Sequence, residues 1–361
     1  MHLEQMLDKR FLGYRSLLGF FHWAKDVKGV LTKKGASLSD KYWCLSHGFT
    51  VSSFNLYGHE NLKKNYRDYL SERQYLKLHP LNGAFSVWID DKLTLKHMFS
   101  RFDTYLPEYY FHIEGSSVVR QANCPETVHG HDFQAILALL REKKILAAKQ
   151  LWGSCGTGFY RLEYIDSEYY VTGKKISEND LLSLLRSLKH YVITEYIRNH
   201  NSIAAIWPDA TNTLRIMMAT VDSEPVLMRS FIRFGNAKSN GVDNAHAGGI
   251  EAIVDEDKGR VLFAVSLDAD GYATRITNHP DSGAPFDIEI TYWDEIVRVC
   301  ERICRTYPEL RYWGFDVAIT QDGFKILEIN SLPGLMAAQM KMPLLKDEKT
   351  RKVYQSFGLK L

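Results

Sequence analysis

The sequence predicts a protein of the α+β class. Three observations support this prediction: short apolar strands follow one another in runs, single amphipathic helices interrupt these runs, and the first 90 residues have mostly helical periodicity. Strand runs broken by single helices favour α+β layers over a uniformly parallel sheet. Of the 361 residues, 45% are apolar and 24% are charged, which is typical of folded globular proteins and excludes wholesale disorder.

Charge balance and cysteine content narrow the expected partners and location. Lys and Arg total 45 and Asp and Glu total 43, so the formal charge of +2 gives no electrostatic reason to expect nucleic acid. Five cysteines, an odd number, favour a reducing, cytoplasmic compartment. No apolar run approaches the ~20 residues of a membrane span, and no secretory signal is expected. The basic, aromatic start over residues 9–28 is compatible with peripheral membrane contact, but a helix packed on the body is favoured.

Apolar spacing and turn residues predict the elements in order. Helices are expected over 1–90 with turns at 33–35 and 79–83, over 91–105, over 131–143, after a cap at Ser177 and after a cap at Thr291. Strands are expected over 145–150, 159–165, 169–172, 191–197, 213–221, 226–234, 313–320 and 324–330. Residues 235–249 lack periodicity and are expected to form a loop.

The last two strands form a hairpin whose register decides its chemistry. A two-residue turn at 322–323 would bury Glu328 among apolar groups at a high free-energy cost. A three-residue loop with Gly323 in the left-handed conformation instead pairs Asp316 with Glu328 and adds Asn330 to the same polar face. The core face in this register consists of Phe315, Val317, Ile319, Leu327 and Ile329. Two carboxylates and an amide oxygen this close suit Mg²⁺; the alternative is the solvated face of an edge hairpin.

A glycine-rich loop follows the strand that carries Lys149. Gly153, Gly156 and Gly158 would let backbone N–H groups approach an anion, and Lys149 would add a positive charge. The next segment is strand-like, so the pattern is not that of a P-loop, which enters a helix. An ordinary hairpin is an equally good interpretation of these residues alone.

Two arginines and a histidine are further candidates. Arg215 and Arg233 lie on the strands joined at 222–225, where each could hold a phosphate or carboxylate in a bidentate fork. Surface charge is the alternative for either one. His246 lies in the loop predicted over 235–249, and the ordinary histidine pKa of ~6.5 suits accepting a proton from an amine. The alternative is a loop histidine without a role.

In chain order, these motifs resemble the ATP-grasp superfamily over about residues 90–335. Asp316, Glu328 and Asn330 resemble its magnesium ligands. Lys92 and Lys149 resemble its two lysines. The residues that resemble its glycine loop are Gly153, Ser154, Gly156 and Gly158, and those that resemble the hinge strand beside adenine are Glu195, Tyr196 and Ile197. The segments that resemble the sugar-transfer-associated branch are 212–216, 233–235 and 242–250. Gln150 departs from the pattern, since many members have Pro there.

The resemblance implies an ATP-grasp fold, with two α+β subdomains that grip ATP, over 91–194 and 195–361, after a mostly helical N-terminal domain over 1–90. It implies ATP and Mg²⁺ as cofactors and an ATP-dependent carboxylate–amine ligase that proceeds through an acyl phosphate. The substrates would be small or sugar-linked acids and amines in surface polysaccharide or peptide-like metabolite assembly. Arg215, Arg233 and His246 would serve the chemistry. A phosphotransferase acting on a hydroxyl and a non-catalytic binding module are the alternatives.

Overall fold

The computed structural model describes residues 27–33, 35–153, 156, 158–239, 241–243, 249–268 and 270–360. Three predictions therefore fall outside the described residues: the role of the basic start over 9–26, and the roles of Ser154 and His246. The domain boundaries after residues 90 and 194 stay predictions.

The N-terminal part of the described chain is helical, as predicted. After a helical segment at 27–32, the helices are α1 Leu38–His47, α2 Val51–Tyr57, α3 His59–Asn65, α4 Glu72–Leu78, α5 Val87–Asp90 and α6 Lys92–Met98. Side chains at the N-caps of α1, α2, α4 and α6 accept backbone N–H groups, which satisfies donors that a helix start leaves free.

The single helix predicted over 91–105 is wrong in its second half. Helix α6 ends at Met98, and a 3₁₀ segment covers Ser100–Tyr105. Phe102 within this segment has non-helical backbone angles, and both Phe99 and Phe102 are buried in the core. Packing of these two rings therefore overrides the helical periodicity of the segment.

The first sheet has seven strands in the order β2-β1-β7-β3-β4-β5-β6, all paired antiparallel. Its strands are β1 Tyr109–Glu114, β2 Ser117–Arg120, β3 Ile145–Gln150, β4 Tyr160–Ile165, β5 Glu168–Val171, β6 Lys174–Ile176 and β7 Tyr191–Glu195. Helices α7 Phe133–Lys143 and α8 Glu178–Ser187 bury their leucines against it. Ser177 caps α8 as predicted, by accepting the N–H of Asp180.

The second sheet also has seven strands, in the order β12-β11-β10-β9-β8-β13-β14, again antiparallel. Its strands are β8 Thr213–Val221, β9 Glu224–Phe234, β10 Ile250–Asp255, β11 Arg260–Leu267, β12 Ala273–Ile276, β13 Tyr312–Thr320 and β14 Gly323–Asn330. The remaining helices are α9 Asn201–Ala204, α10 Trp293–Thr306 and α11 Glu348–Ser356. One face of this sheet packs on α10 in the largest apolar cluster, which leaves part of the opposite face for a cleft.

The predicted cap of α10 at Thr291 is wrong. The helix starts at Trp293, and the residue before it, Tyr292, has a left-handed φ of 62° and makes no side-chain cap bond. Burial of apolar side chains stabilises this helix in place of a capping bond, because Ile296, Val299 and Ile303 recur at helical spacing on its buried face.

The β13–β14 hairpin pairs Asp316 with Glu328 as predicted, but by a different route. Thr320 pairs with Gly323 across a two-residue turn, so the three-residue loop is wrong. A bulge at Leu327 then restores the predicted pairing farther along the strands. Leu327 is half-buried and lines the cleft, whereas Ile326 is buried in the core, so the predicted core face is wrong at Leu327.

Candidate active site

A cleft with a volume of about 950 Å³ lies between the two sheets. Strand β3 supplies one wall, and strands β8 to β11, β13 and β14 supply the other. Residues of the N-terminal helical region and residues 332 and 334–337 also line the cleft. The charged residues that line the cleft are Lys33, Lys92, Lys149, Arg215, Arg233, Lys238, Asp243, Glu251, Asp268, Asp316 and Glu328.

Backbone pairing in the second sheet builds a charged row across neighbouring strands. Glu328 pairs with Asp316, which on its other side pairs with Arg215. One strand farther on, Arg233 is offset from this line by two residues, because it pairs with Thr213 of β8, and on its other side it pairs with Glu251. Because residues opposite one another in a sheet project from the same face, the row presents carboxylates, then guanidinium groups, then a carboxyl to the cleft.

Asp316 is the centre of this row and is 2% exposed. Arg215 donates to it through Nε and through Nη2, the latter at 2.9 Å, and Arg233 Nη2 lies 2.9 Å from Asp316 Oδ2. Burial alone would raise the pKa of Asp316, but the two guanidinium groups outweigh burial and hold this pKa well below its ordinary value. The structure therefore brings the two predicted arginines together on the predicted carboxylate.

The three predicted metal ligands converge. The amide nitrogen of Asn330 lies 3.5 Å from Asp316 Oδ2 and 3.4 Å from Glu328 Oε1. Among the described residues, no group of three or more His, Cys, Asp or Glu is placed to hold a metal, so a site here would rest on two carboxylates and on the Asn330 amide, turned to present its oxygen in place of its nitrogen. Oxygen donors of this kind fit Mg²⁺, which keeps several waters and shares its coordination with phosphates. Lys92 Nζ, 3.1 Å from Glu328 Oε2, supplies positive charge beside the same carboxylate.

The first sheet brings a second lysine into the cleft. Lys149, on β3, lines the cleft and makes no hydrogen bond or ion pair with the residues that the structure describes. Burial, followed by repulsion from Lys92, lowers the pKa of Lys149 to about 8. An unpaired, desolvated ammonium group fits an anionic ligand such as a phosphate.

The described part of the glycine loop reaches toward the second sheet. The Gly153 carbonyl accepts a hydrogen bond from Lys92 Nζ at 3.0 Å. Gly156 has a φ of +70°, and a Cβ placed there would lie 2.8 Å from the Val242 side chain. Only glycine avoids both the backbone strain and this collision.

Only part of the predicted hinge lines the cleft. Tyr196 and Ile197 line the cleft, but Glu195 does not. The Glu195 carboxylate instead accepts the backbone N–H of Glu108 at 2.9 Å.

Sequence reasoning missed two acidic residues at the site. Asp243 accepts the Thr213 N–H at 2.8 Å and lies 3.5 Å from Arg233 Nε. Glu251 is 8% exposed in the cleft, and its only sequence signal was a single charged residue within the apolar run 250–254. Neither residue could be linked to the arginines without the pairing of distant strands.

Two antiparallel sheets around a cleft, with Lys149 on one wall and Mg²⁺-compatible carboxylates on the other, form the arrangement of an ATP-grasp protein. The model of the sugar-transfer-associated ATP-grasp family matches residues 71–352, and the chain belongs to this family. No curated protein matches the sequence significantly. No helix in the described ranges is long and apolar enough to cross a membrane.

Several solved structures are distantly similar. D-alanyl-alanine synthetase A from Vibrio cholerae O1 biovar eltor is 11% identical, with a TM-score of 0.42 over 76% of this chain and 65% of that one. The ATP-grasp ligase PsnB complexed with its minimal precursor is 12% identical, with a TM-score of 0.40 over 82% and 75%. L-amino acid ligase from Bacillus licheniformis is 9% identical, with a TM-score of 0.40 over 83% and 58%. The chain thus spans less than two thirds of the synthetase and of the L-amino acid ligase.

Proposed function

We propose that the protein is an ATP-dependent carboxylate–amine ligase that activates an acid as an acyl phosphate and converts it to an amide. One observation carries the proposal: unpaired Lys149 faces, across one cleft, a carboxylate pair whose buried member is held by two guanidinium groups. This arrangement provides separate places for phosphates, for a divalent cation and for a second anion.

Lys92, Lys149 and the glycine loop would hold the phosphates of ATP, and Tyr196 and Ile197 would contact the base. Asp316, Glu328 and Asn330 would hold Mg²⁺, which when bound would neutralise phosphate charge during transfer. A phosphate beside Lys149 would also relieve the cost of keeping its ammonium charged in the cleft. Ser154 and Glu195 remain predicted nucleotide-binding residues.

Arg215 and Arg233 would position the acid. Arg215 commits Nε and Nη2 to Asp316, which leaves Nη1 for a ligand. A guanidinium group matches the planar fork of a carboxylate and stays charged as the γ-phosphoryl group transfers to the carboxylate oxygen. Closure of the glycine loop would then keep water from the acyl phosphate. His246 remains a predicted proton acceptor for the amine.

The acid and amine are proposed to be small or sugar-linked molecules of surface polysaccharide or peptide-like metabolite assembly. The family name, sugar-transfer-associated ATP-grasp, supports the polysaccharide setting. A cytoplasmic location is proposed because ATP is supplied there and the few cysteines suit a reducing compartment.

The proposal is tested by screening acids for ADP release with hydroxylamine as the acceptor. A ligase yields an acid-dependent hydroxamate, and Glu328→Gln should lose it while Glu289→Gln, at an exposed position that does not line the cleft, keeps it. A stable phosphorylated alcohol without hydroxamate from any acid would instead identify a phosphotransferase and overturn the proposal.

A further inference from the structure

Glu251 is a buried carboxyl that the functions assigned so far do not use. It lies on β10 and lines the cleft with 8% of its surface exposed. Its Oε2 atom is buried without a hydrogen-bond partner among the described residues. Buried polar atoms in native proteins are nearly always hydrogen-bonded, so an unpaired carboxyl oxygen at a cleft requires an explanation.

The surroundings of Glu251 combine positive charge with burial. Arg233 pairs with it in register from β9, and Arg215 lies on the next strand. Tyr57, from α2, is a further titratable group that interacts with Glu251 electrostatically. Burial raises the pKa of Glu251 to about 7 against the opposing effect of Arg233 and Arg215. The carboxyl can therefore gain or lose a proton near neutral pH.

A purely structural role explains Glu251 poorly. The guanidinium groups of Arg215 and Arg233 are already paired with Asp316, and Arg233 also has Asp243 at 3.5 Å. Among the described residues, Glu251 Oε2 has no hydrogen-bond donor that would offset its desolvation. Glu251 lies on β10, one strand beyond Arg233 and on the side away from the metal-site residues. It therefore lines the part of the cleft that follows the place proposed for the acid.

Resting on the ligase function proposed above, we propose that Glu251, in place of the His246 predicted from the sequence, binds the acceptor amine and takes its proton during amide formation. The amine nitrogen forms the C–N bond as the C–O bond between the acyl carbon and phosphate breaks. One N–H proton passes to Glu251 Oε2 and then to the departing phosphate, so Glu251 ends the cycle unprotonated. An amine that arrives as ammonium first gives its extra proton through the same carboxyl to solvent.

The binding half of the proposal is tested without knowledge of the substrates. Full-length protein carrying carbon-13 at the glutamate carboxyl is titrated by NMR, and Glu251 is assigned by the signal missing from Glu251→Gln. We expect n-propylamine, an ammonium ion at neutral pH, to lower the pKa of Glu251, because a bound cation favours the carboxylate. Propan-1-ol, which is similar in size and uncharged, should leave this pKa unchanged. A pKa of Glu251 that does not change when the amine is added would overturn the proposal.

The catalytic half is tested by comparing two nucleophiles in the same enzyme. Hydroxylamine is a weak base that is unprotonated at neutral pH, so it needs a proton acceptor less than an alkylamine does. We expect Glu251→Gln to slow amide formation at least about 100-fold more than hydroxamate formation, as loss of a general base predicts. Raising the pH should recover part of the amide rate, because the amine then arrives deprotonated. Glu289→Gln, a matched change at an exposed glutamate, should affect neither rate.

The outcomes separate this inference from the function beneath it. Absence of hydroxamate from every acid in the wild-type protein refutes the ligase function, and the NMR titration still decides whether Glu251 binds amines. Hydroxamate in the wild type with equal losses of both products in Glu251→Gln overturns the role of Glu251 alone. Loss of amide formation in His246→Ala but not in Glu251→Gln would assign the proton transfer to His246 and overturn the proposal.

Discussion

Replacing Lys149 with methionine should stabilise the ATP-free protein at neutral pH. The substitution keeps the length of the side chain but removes an ammonium group that has no described partner in the cleft. Burial lowers the pKa of Lys149 from 10.5 to about 8. At about 1.4 kcal/mol for each pH unit, the charged form costs the folded state about 3 kcal/mol. Water in the open cleft screens part of this cost, so we expect a gain of about 1–3 kcal/mol.

The pH dependence of this gain follows from proton binding. Between pH 8 and 10.5, the folded protein binds fewer protons at Lys149 than the unfolded chain does. Wild-type stability therefore rises with pH across this window relative to the variant, and the gap between the two should close. Below pH 8, the gap should stay constant, because Lys149 is charged in both states. Urea unfolding of both proteins at a series of pH values measures their free energies of unfolding and so the difference between them.

A second buried lysine provides a control with the opposite expected sign. Lys96 Nζ donates to the Pro107 carbonyl at 2.7 Å and lies 2.5 Å from Asp103 Oδ1. Lys96→Met should therefore destabilise the protein by about 1–3 kcal/mol, because it removes charge-assisted hydrogen bonds. A Lys149→Met protein that is less stable than wild type at pH 7, or a gap that does not narrow above pH 8, would refute our reasoning about Lys149.

Three further predictions concern the rest of the site. Glu328→Ala should abolish Mg²⁺-dependent ADP release while the protein still folds, because this side chain is 27% exposed in the cleft and its loss opens no core cavity, although Lys92 loses its ion-pair partner. Loss of folding instead would show a structural role. Gly156→Val should lower kcat in steady-state assays through strain at a φ of +70° and collision with Val242, and unchanged turnover would remove the loop from the mechanism. Arg215→Ala should lower the free energy of unfolding by about 3–5 kcal/mol, since it leaves buried Asp316 short of a partner; a loss below about 1 kcal/mol by urea unfolding would contradict this.

Local patterns were sufficient for most strands and for the helix that Ser177 caps, because alternation, capping residues and turn residues all act within a few positions. The Asp316–Glu328 pairing was predicted correctly although its turn was not. The turn is one residue shorter than expected, which alone would shift the strand pairing by one residue. The bulge at Leu327 reverses this shift before Asp316 and Glu328 pair. Nothing in the sequence of the strand marks the bulge.

Long-range contacts account for what the sequence could not predict at the site. Arg215 and Arg233 were visible as candidates, but their shared partner Asp316 lies on a strand that follows the intervening helix α10. No strand was predicted over Ile250–Asp255, so Glu251 was not a candidate. Its burial, and the lack of a described partner for its Oε2 atom, follow from the pairing of β10 with β9 and from its place in the cleft between the sheets.

The central claim is that a carboxylate oxygen attacks the γ-phosphoryl group of ATP, and oxygen-18 transfer tests it most directly. An acid identified by ADP release is labelled in its carboxylate and turned over with an amine in unlabelled water, and the inorganic phosphate is analysed by mass spectrometry. Our account predicts one carboxylate oxygen in each phosphate released, because the bond between the acyl carbon and that oxygen breaks during amide formation. Unlabelled phosphate, with the label retained in the acid or its product, would contradict the acyl-phosphate mechanism.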